Sequence, residues 1–291
     1  ALAAFQVQPP REIGVGLCIK RIEHNRALDW VAAEITERKP AAVLITGDLT
    51  MRARRREFDA ARDWILSLDA PVTVEVGNHD LPYFNPYERF FAPYRKFHGM
   101  EAMVERDLDL PGIAIVSLKT AARMQPRLDW SKGWVSDAAL AKCLAAIDAV
   151  TPGKKILVTV HHPLVEVGTR GTALTRGGTK ALAELAKRNV TAVLSGHVHD
   201  PFDLMQQTVN GPVRMIGAGT LSQRIRSTPQ SFNELRFGPD GSLHVEARNL
   251  QHVPTDAMKI DSVPEDAMPP RDPGEPVAPV NAVPRVDPPL Y

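Results

Sequence analysis

The chain has only two cysteines, Cys18 and Cys143, far apart and outside any CxxC pair. That argues against a disulfide framework or a zinc ribbon and leaves two reduced thiols as the expectation. No apolar run is long enough to span a membrane. A net charge of +1 gives no support for a general nucleic-acid-binding surface, although a local basic patch stays open. There is no GxSxG, so no nucleophile elbow, and no GxxxxGK followed by Ser or Thr, so no P-loop. Ala1-Leu2-Ala3-Ala4-Phe5 lacks a basic region followed by an apolar core; the default expectation is therefore a cytoplasmic protein. No internal repeat is visible, and no aspartate stands before Asp29.

What the chain does have is a repeated design. Residues 42–45 are apolar and β-branched, too short for a helix, and run into Gly47-Asp48. Residues 71–76 run into Gly77-Asn78-His79-Asp80. Residues 155–160 run into His161-His162-Pro163, and residues 190–194 into Ser195-Gly196-His197-Val198-His199. Strand ends are where α/β folds place their ligands. One such end means little, but four make a set of oxygen and imidazole donors suited to a borderline divalent metal such as manganese, iron or zinc.

In order and spacing, Gly-Asp, Gly-Asn-His-Asp, His-His-Pro and Gly-His-Val-His resemble the calcineurin-like metallophosphoesterases, over about residues 25–250. The resemblance implies an α/β fold, a two-sheet sandwich flanked by helices. It implies metal-dependent hydrolysis of phosphoesters, with phosphodiesters favoured and a small phosphoester or nucleotide-type substrate. By the same resemblance Asp48 bridges two metals. Asn78, His161 and His197 complete one metal's ligands, and His199 serves the other. His79 protonates the leaving oxygen, and Asp80 holds His79 in its tautomer. His162 is assigned a supporting or structural place, and His98, His244 and His252 ordinary surface or packing roles.

One family feature is missing. The first strand should end in Asp-x-His, yet after a plausible strand at residues 5–7 stands Gln8-Pro9-Pro10-Arg11. Neither proline nor arginine ligates a divalent metal. Three readings compete: a one-metal enzyme, a catalytically impaired binding module, or an altered reading of the sequence before about Glu23. Glu23 or His24 could replace the ligands. The expectation is two metals in the family and one held tightly here.

Elsewhere, Leu28, Val31, Ala32 and Ile35 recur at helical spacing. A second helix runs through Phe58, Ala61, Ile65 and Leu68, opening on an arginine run read as a solvated face, though one arginine could reach an anionic substrate. Residues 81–86 read as a loop. Its aromatics, with Phe90, Phe91, Tyr94 and Phe97, are assigned to core or lid packing, substrate stacking being the lesser alternative. Residues 113–118 form a strand, Ser136 caps a helix, and residues 168–178 form a mobile loop over the site. Helix 179–187 follows, and strands at 213–216, 231–237 and 242–247 are expected to build the second sheet. The domain is placed at residues 1–250. Residues 251–291 are proline-rich with few large apolar residues, an extended or disordered tail. Oligomeric state is not readable.

Overall fold

Alternation along short strands sets the layering. In β3 (Ala42–Ile45), all four residues are buried. Val43 and Ile45 pack into one apolar cluster with helix residues, while Ala42 and Leu44 pack into another. The same split recurs in β6 (Lys155–Thr159) and β7 (Ala192–Ser195), where Val158 and Val193 face helices. Leu157, Ala192 and Leu194 instead join Ala42 and Leu44. Successive strand residues point to opposite faces, so two sheets share the middle cluster and each carries helices on its outer face. The expected two-sheet α/β sandwich is therefore the architecture.

This computed structural model describes residues 2–5, 11–16, 26–106, 108, 110–222 and 229–250. One sheet has the order β11-β10-β1-β2-β3-β4, with β1 (Leu2–Phe5), β2 (Arg11–Gly16), β4 (Val72–Val74), β10 (Ser231–Phe237) and β11 (Leu243–Asn249). The other has the order β5-β6-β7-β9-β8, with β5 (Ile113–Ser117), β8 (Phe202–Thr208) and β9 (Gly211–Gly217). Strands β2, β3 and β4 are parallel, as are β5, β6, β7 and β9, so the ends of β3, β4, β6 and β7 open on one edge of each sheet.

Helices α1 (Arg26–Arg38), α2 (Arg55–Leu66) and α4 (Arg95–Val104) cover the first sheet. Helices α5 (Asp137–Asp148) and α6 (Gly178–Ala186) cover the second. The Ser136 hydroxyl accepts from the Ala139 N–H at 3.2 Å, the expected cap of α5. Cys143 is buried in α5, where burial pushes its thiol up to about 12; Cys18 lies outside the described residues.

Several expectations change. Residues 12–21 show no period, yet β2 lies inside the first sheet, held by pairing on both sides rather than by an apolar pattern. Strand β1 is antiparallel to β2 and β3, so its end points away from the edge where Asp48 lies. Gln8-Pro9-Pro10 is therefore not the counterpart of the family's first strand end. The strand end that corresponds is that of β2, followed in sequence by Leu17-Cys18-Ile19, again without Asp or His. Residues 6–10 and 17–25, Glu23 and His24 among them, lie outside the described residues.

The three late strands divide between sheets. Strand β9 joins the second, parallel to β7, while β10 and β11 form a hairpin in the first. Strand β8, edge-on with alternating exposure, and helix α4 had no counterpart in the sequence reading. The stretch read as loop starts helix α3 (Pro86–Phe91): Asn85 caps it, accepting from the Glu88 N–H at 3.1 Å, and Pro86 takes the first turn. Loop 168–178 is tied by backbone bonds between Gly133 and Ala173 and between Arg176 and Val135. The Glu166 carboxylate also accepts the N–H groups of Ala173 and Leu174. The tail, residues 251–291, lies outside the described residues.

Candidate metal centre

Glycine lets the first two strand ends touch. A Cβ on Gly77 would sit 2.2 Å from the Asp48 nitrogen and 2.3 Å from its Oδ1, and one on Gly47 would sit 2.6 Å from His161 Nδ1. Three site residues adopt left-handed backbone: Asp48 at φ 59°, His197 at 65° and His199 at 68°. L-residues adopt this region at a cost, and where the surroundings enforce it the site is commonly functional.

Hydrogen bonds fix the imidazole of His161. Its Nδ1 lies 2.6 Å from the Thr46 carbonyl, which can only accept, so Nδ1 carries the proton. Burial lowers the His161 pKa, favouring the neutral ring. The lone pair of Nε2 then faces Asn78 Oδ1 at 3.1 Å and Asp48 Oδ1 at 3.4 Å. Across the site, His197 Nδ1 lies 3.0 Å from the same Asn78 oxygen. Acceptors brought this close with no proton between Nε2 and the two oxygens leave a place for a cation. The spacings also match the ligand–ligand edges, roughly 2.9–3.4 Å, of a coordination shell with bonds of about 2.0–2.1 Å. The donor set therefore fits a divalent ion.

His161, His162 and His197 bring three ring nitrogens within 4.8 Å of one another. His162 nevertheless has both nitrogens engaged. Nε2 donates to the Ser131 carbonyl at 2.9 Å, and Nδ1 lies 3.0 Å from the Thr120 hydroxyl. Burial depresses its pKa well below the usual value. Its ring braces the site and offers no lone pair to an ion. His199 is buried at the end of the same loop as His197.

His79 is partly exposed, and its backbone N–H donates to Asp48 Oδ1 at 2.9 Å. Its Nδ1 lies 3.0 Å from the Met51 carbonyl, which can only accept, so Nδ1 carries a proton. That carbonyl does what was expected of Asp80. The Asp80 carboxylate instead accepts from the N–H groups of Asp48, Thr50 and Gly77, each at 2.9 Å, with the Thr50 hydroxyl at 3.1 Å. Burial and the neighbouring Asp48 charge push it up to about 7, while these donors pull the other way. Asp80 thus staples the Gly-Asp loop to the Gly-Asn-His-Asp loop. Thr46 and Met51 act through backbone carbonyls, which side-chain chemistry in the sequence does not signal.

Of the remaining histidines, His98 and His244 are exposed, as expected, and His252 lies outside the described residues. The aromatic assignment changes. Phe97 is buried and Tyr94 packs against the same cluster, but Tyr83, Phe84, Tyr87 and Phe91 are exposed. No helix among the described residues is long and apolar enough to cross a membrane.

A profile of the calcineurin-like phosphoesterase family matches residues 22–201. A probable glycerophosphodiester phosphodiesterase of Arcobacter nitrofigilis is 29% identical over 165 residues, 55% of this chain and 57% of that protein. The match thus spans little more than half the length of that relative. A probable cyclic nucleotide phosphodiesterase of Synechococcus sp. is 26% identical over 240 residues, 78% of this chain and 83% of the relative. The phosphopantetheinyl hydrolase structure from Mycobacterium tuberculosis is 16% identical, with a TM-score of 0.38 over 61% of this chain and 79% of that one.

Proposed function

The chain belongs to the calcineurin-like phosphoesterase family, and from that premise we propose that it hydrolyses phosphodiesters with a divalent metal held by Asp48, Asn78, His161 and His197. The observation that carries the reading is the convergence of the His161 Nε2 lone pair on the oxygens of Asn78 and Asp48 at 3.1 and 3.4 Å. When bound, a divalent ion supplies Lewis acidity toward the phosphoryl group and a nucleophile from water near neutral pH. Manganese, iron and zinc all suit the mixed donors. Asn78 contributes a neutral oxygen, which adds no negative charge to repel a phosphate.

The chain's own residues do the rest. Asp48 anchors the backbone of His79 as well as facing His161, so the proton donor and the metal ligands share one rigid reference. The Met51 carbonyl holds the His79 ring through Nδ1–H, and in its imidazolium form the ring gives the Nε2 proton to the leaving oxygen as the P–O bond breaks, returning to the neutral Nδ1–H tautomer. Asp80 keeps the two loops in register without touching the reacting atoms. His199 is the protein ligand left for a second ion, the family's other position. The domain is placed at residues 1–250 and in the cytoplasm.

The test is turnover of bis(p-nitrophenyl) phosphate by chelator-treated protein reloaded with manganese, iron or zinc, beside p-nitrophenyl phosphate. Faster hydrolysis of the diester supports the reading. No turnover above buffer with any of the three metals would leave the impaired binding module as the better description, a reading favoured by Leu17-Cys18-Ile19 standing directly after β2 without Asp or His.

A further inference from the structure

Beyond the metal centre, the surface feature that the site leaves unexplained is aromatic. Tyr83, Phe84, Tyr87 and Phe91 are 69%, 71%, 75% and 74% exposed, in the stretch that follows His79-Asp80. Water-facing rings in such number carry a free-energy cost unless something covers them. Phe84 is the one with a cationic neighbour. The Arg52 guanidinium lies 5.7 Å from its ring centroid, and Tyr83 meets its edge at 5.2 Å and 79°. Those contacts leave most of the ring open to solvent.

Phe84 and Arg52 belong to a cleft of about 280 Å³, with Arg54, Pro82, Asn85 and Lys96 among its lining. Its volume lies just below the roughly 300–1,000 Å³ of pockets that take a whole ligand, and suits a portion of one. The charge balance is positive. Glu88 in the lining is taken up by Lys96 at 2.8 Å and Arg95 at 3.4 Å. Glu57 holds the backbone N–H groups of Arg52 and Arg54 at 3.0 and 2.9 Å. In the lining itself Arg52, Arg54 and Lys96 stand against Glu88 alone. The cleft is joined to the proton donor through the chain. Met51, whose carbonyl orients His79, immediately precedes Arg52, and Pro82 and Phe84 follow His79 in one loop.

We infer that this cleft is the leaving-group subsite and takes a phosphorylated nucleoside, its flat base on Phe84 and its own phosphate on Arg52 and Arg54. The inference rests on the phosphodiesterase reading and narrows it to linear diesters whose leaving half carries a second phosphate. Water's oxygen bonds to the scissile phosphorus and its proton passes to solvent, the P–O bond to the leaving half breaks, and the His79 imidazolium gives its Nε2 proton to the departing oxygen. Aromatic rings and guanidinium groups stack on any nucleobase, so the subsite selects for nucleotide character rather than for one base.

The test separates this inference from the reading beneath it by using metal-free protein. Calorimetric titration of the chelator-treated chain with adenosine 5′-monophosphate, adenosine and inorganic phosphate should show the nucleotide binding about tenfold tighter than either part. Phe84→Ala should remove that advantage, Phe84→Trp should keep it, and Arg52→Ala should bring the nucleotide down to adenosine's affinity. Both positions are exposed, and melting temperature checks that each variant folds. Equal binding of nucleotide and phosphate, or variants that bind like the parent chain, would overturn the subsite, whereas absent metal-dependent turnover counts against the phosphodiesterase reading alone. In the manganese-loaded enzyme, adenosine 5′-monophosphate should raise KM for bis(p-nitrophenyl) phosphate at constant kcat. A fall in kcat at constant KM would put the nucleotide outside the substrate's path and overturn the leaving-group assignment.

Discussion

The two metal positions of the family fold are built very differently in this chain. At one, donors from four strand ends meet: Asp48 after β3, Asn78 after β4, His161 after β6 and His197 after β7. Two of them are held from behind, His161 by the Thr46 carbonyl and the Asp48 backbone by Asp80. At the other, His199 and Asp48 are the ligands we propose among the described residues, and the sequence directly after β2 offers Leu17-Cys18-Ile19. The contrast teaches that a parallel sheet edge becomes a metal site only when each strand ends on a donor. The pairing of β2 with β3 survives without one, because the ladder is made by backbone groups.

The sharpest way to break the comparison is to remove one histidine from each side. His161→Ala should lose the tightly held ion and drop turnover to the buffer background. His199→Ala should leave metal content nearly unchanged, at about one ion per chain, because four donors already complete one site. Metal analysis after gel filtration decides this. Near two ions per parent chain, or equal loss in both variants, would mean that the second position is complete.

His79→Ala comes next in size. A lost general acid costs about 10²–10⁴-fold in kcat, and metal content should stay constant because we assign His79 to proton transfer and not to ligation. Metal loss in step with activity would refute that role.

Asp80→Asn tests the staple behind the complete half. The amide keeps one acceptor oxygen and turns its NH₂ toward a backbone N–H, a loss of about 1–3 kcal/mol in urea unfolding. A variant as stable as the parent would show that the two loops hold register without it.

The smallest effect should come from ending the chain after Leu250. We propose that residues 251–291, rich in proline and poor in large apolar side chains, add little to folding or hydrolysis. Falls in melting temperature and metal content together would show that the tail contributes to the core or to the incomplete position.

Much of the site was legible in the sequence because β3, β6 and β7 are buried on both faces. Such strands read as continuous apolar runs, and the polar residue that ends each run stands out against it. The layout of helices α1, α2, α5 and α6 was legible for a related reason, since each shows an apolar face at helical spacing. Strand β2 was not, because its partners, not its side chains, make it a strand. That Tyr83, Phe84, Tyr87 and Phe91 lie outside the core was not legible, because composition does not say which way a ring near a loop faces.

By itself the sequence determined which donors stand at the strand ends, and so the metal chemistry they suit. Only the tertiary structure decided which histidine turns a ring nitrogen toward Asn78 and Asp48 and which has both nitrogens engaged elsewhere. His161 and His162 are neighbours in the chain and chemically identical, yet one ring meets Thr46 and Asn78, 115 and 83 positions away, and the other Thr120 and Ser131, 42 and 31 away. A ring nitrogen's role is set by the hydrogen bond its partner nitrogen makes, and those bonds cross between loops that only the packed sheets bring together.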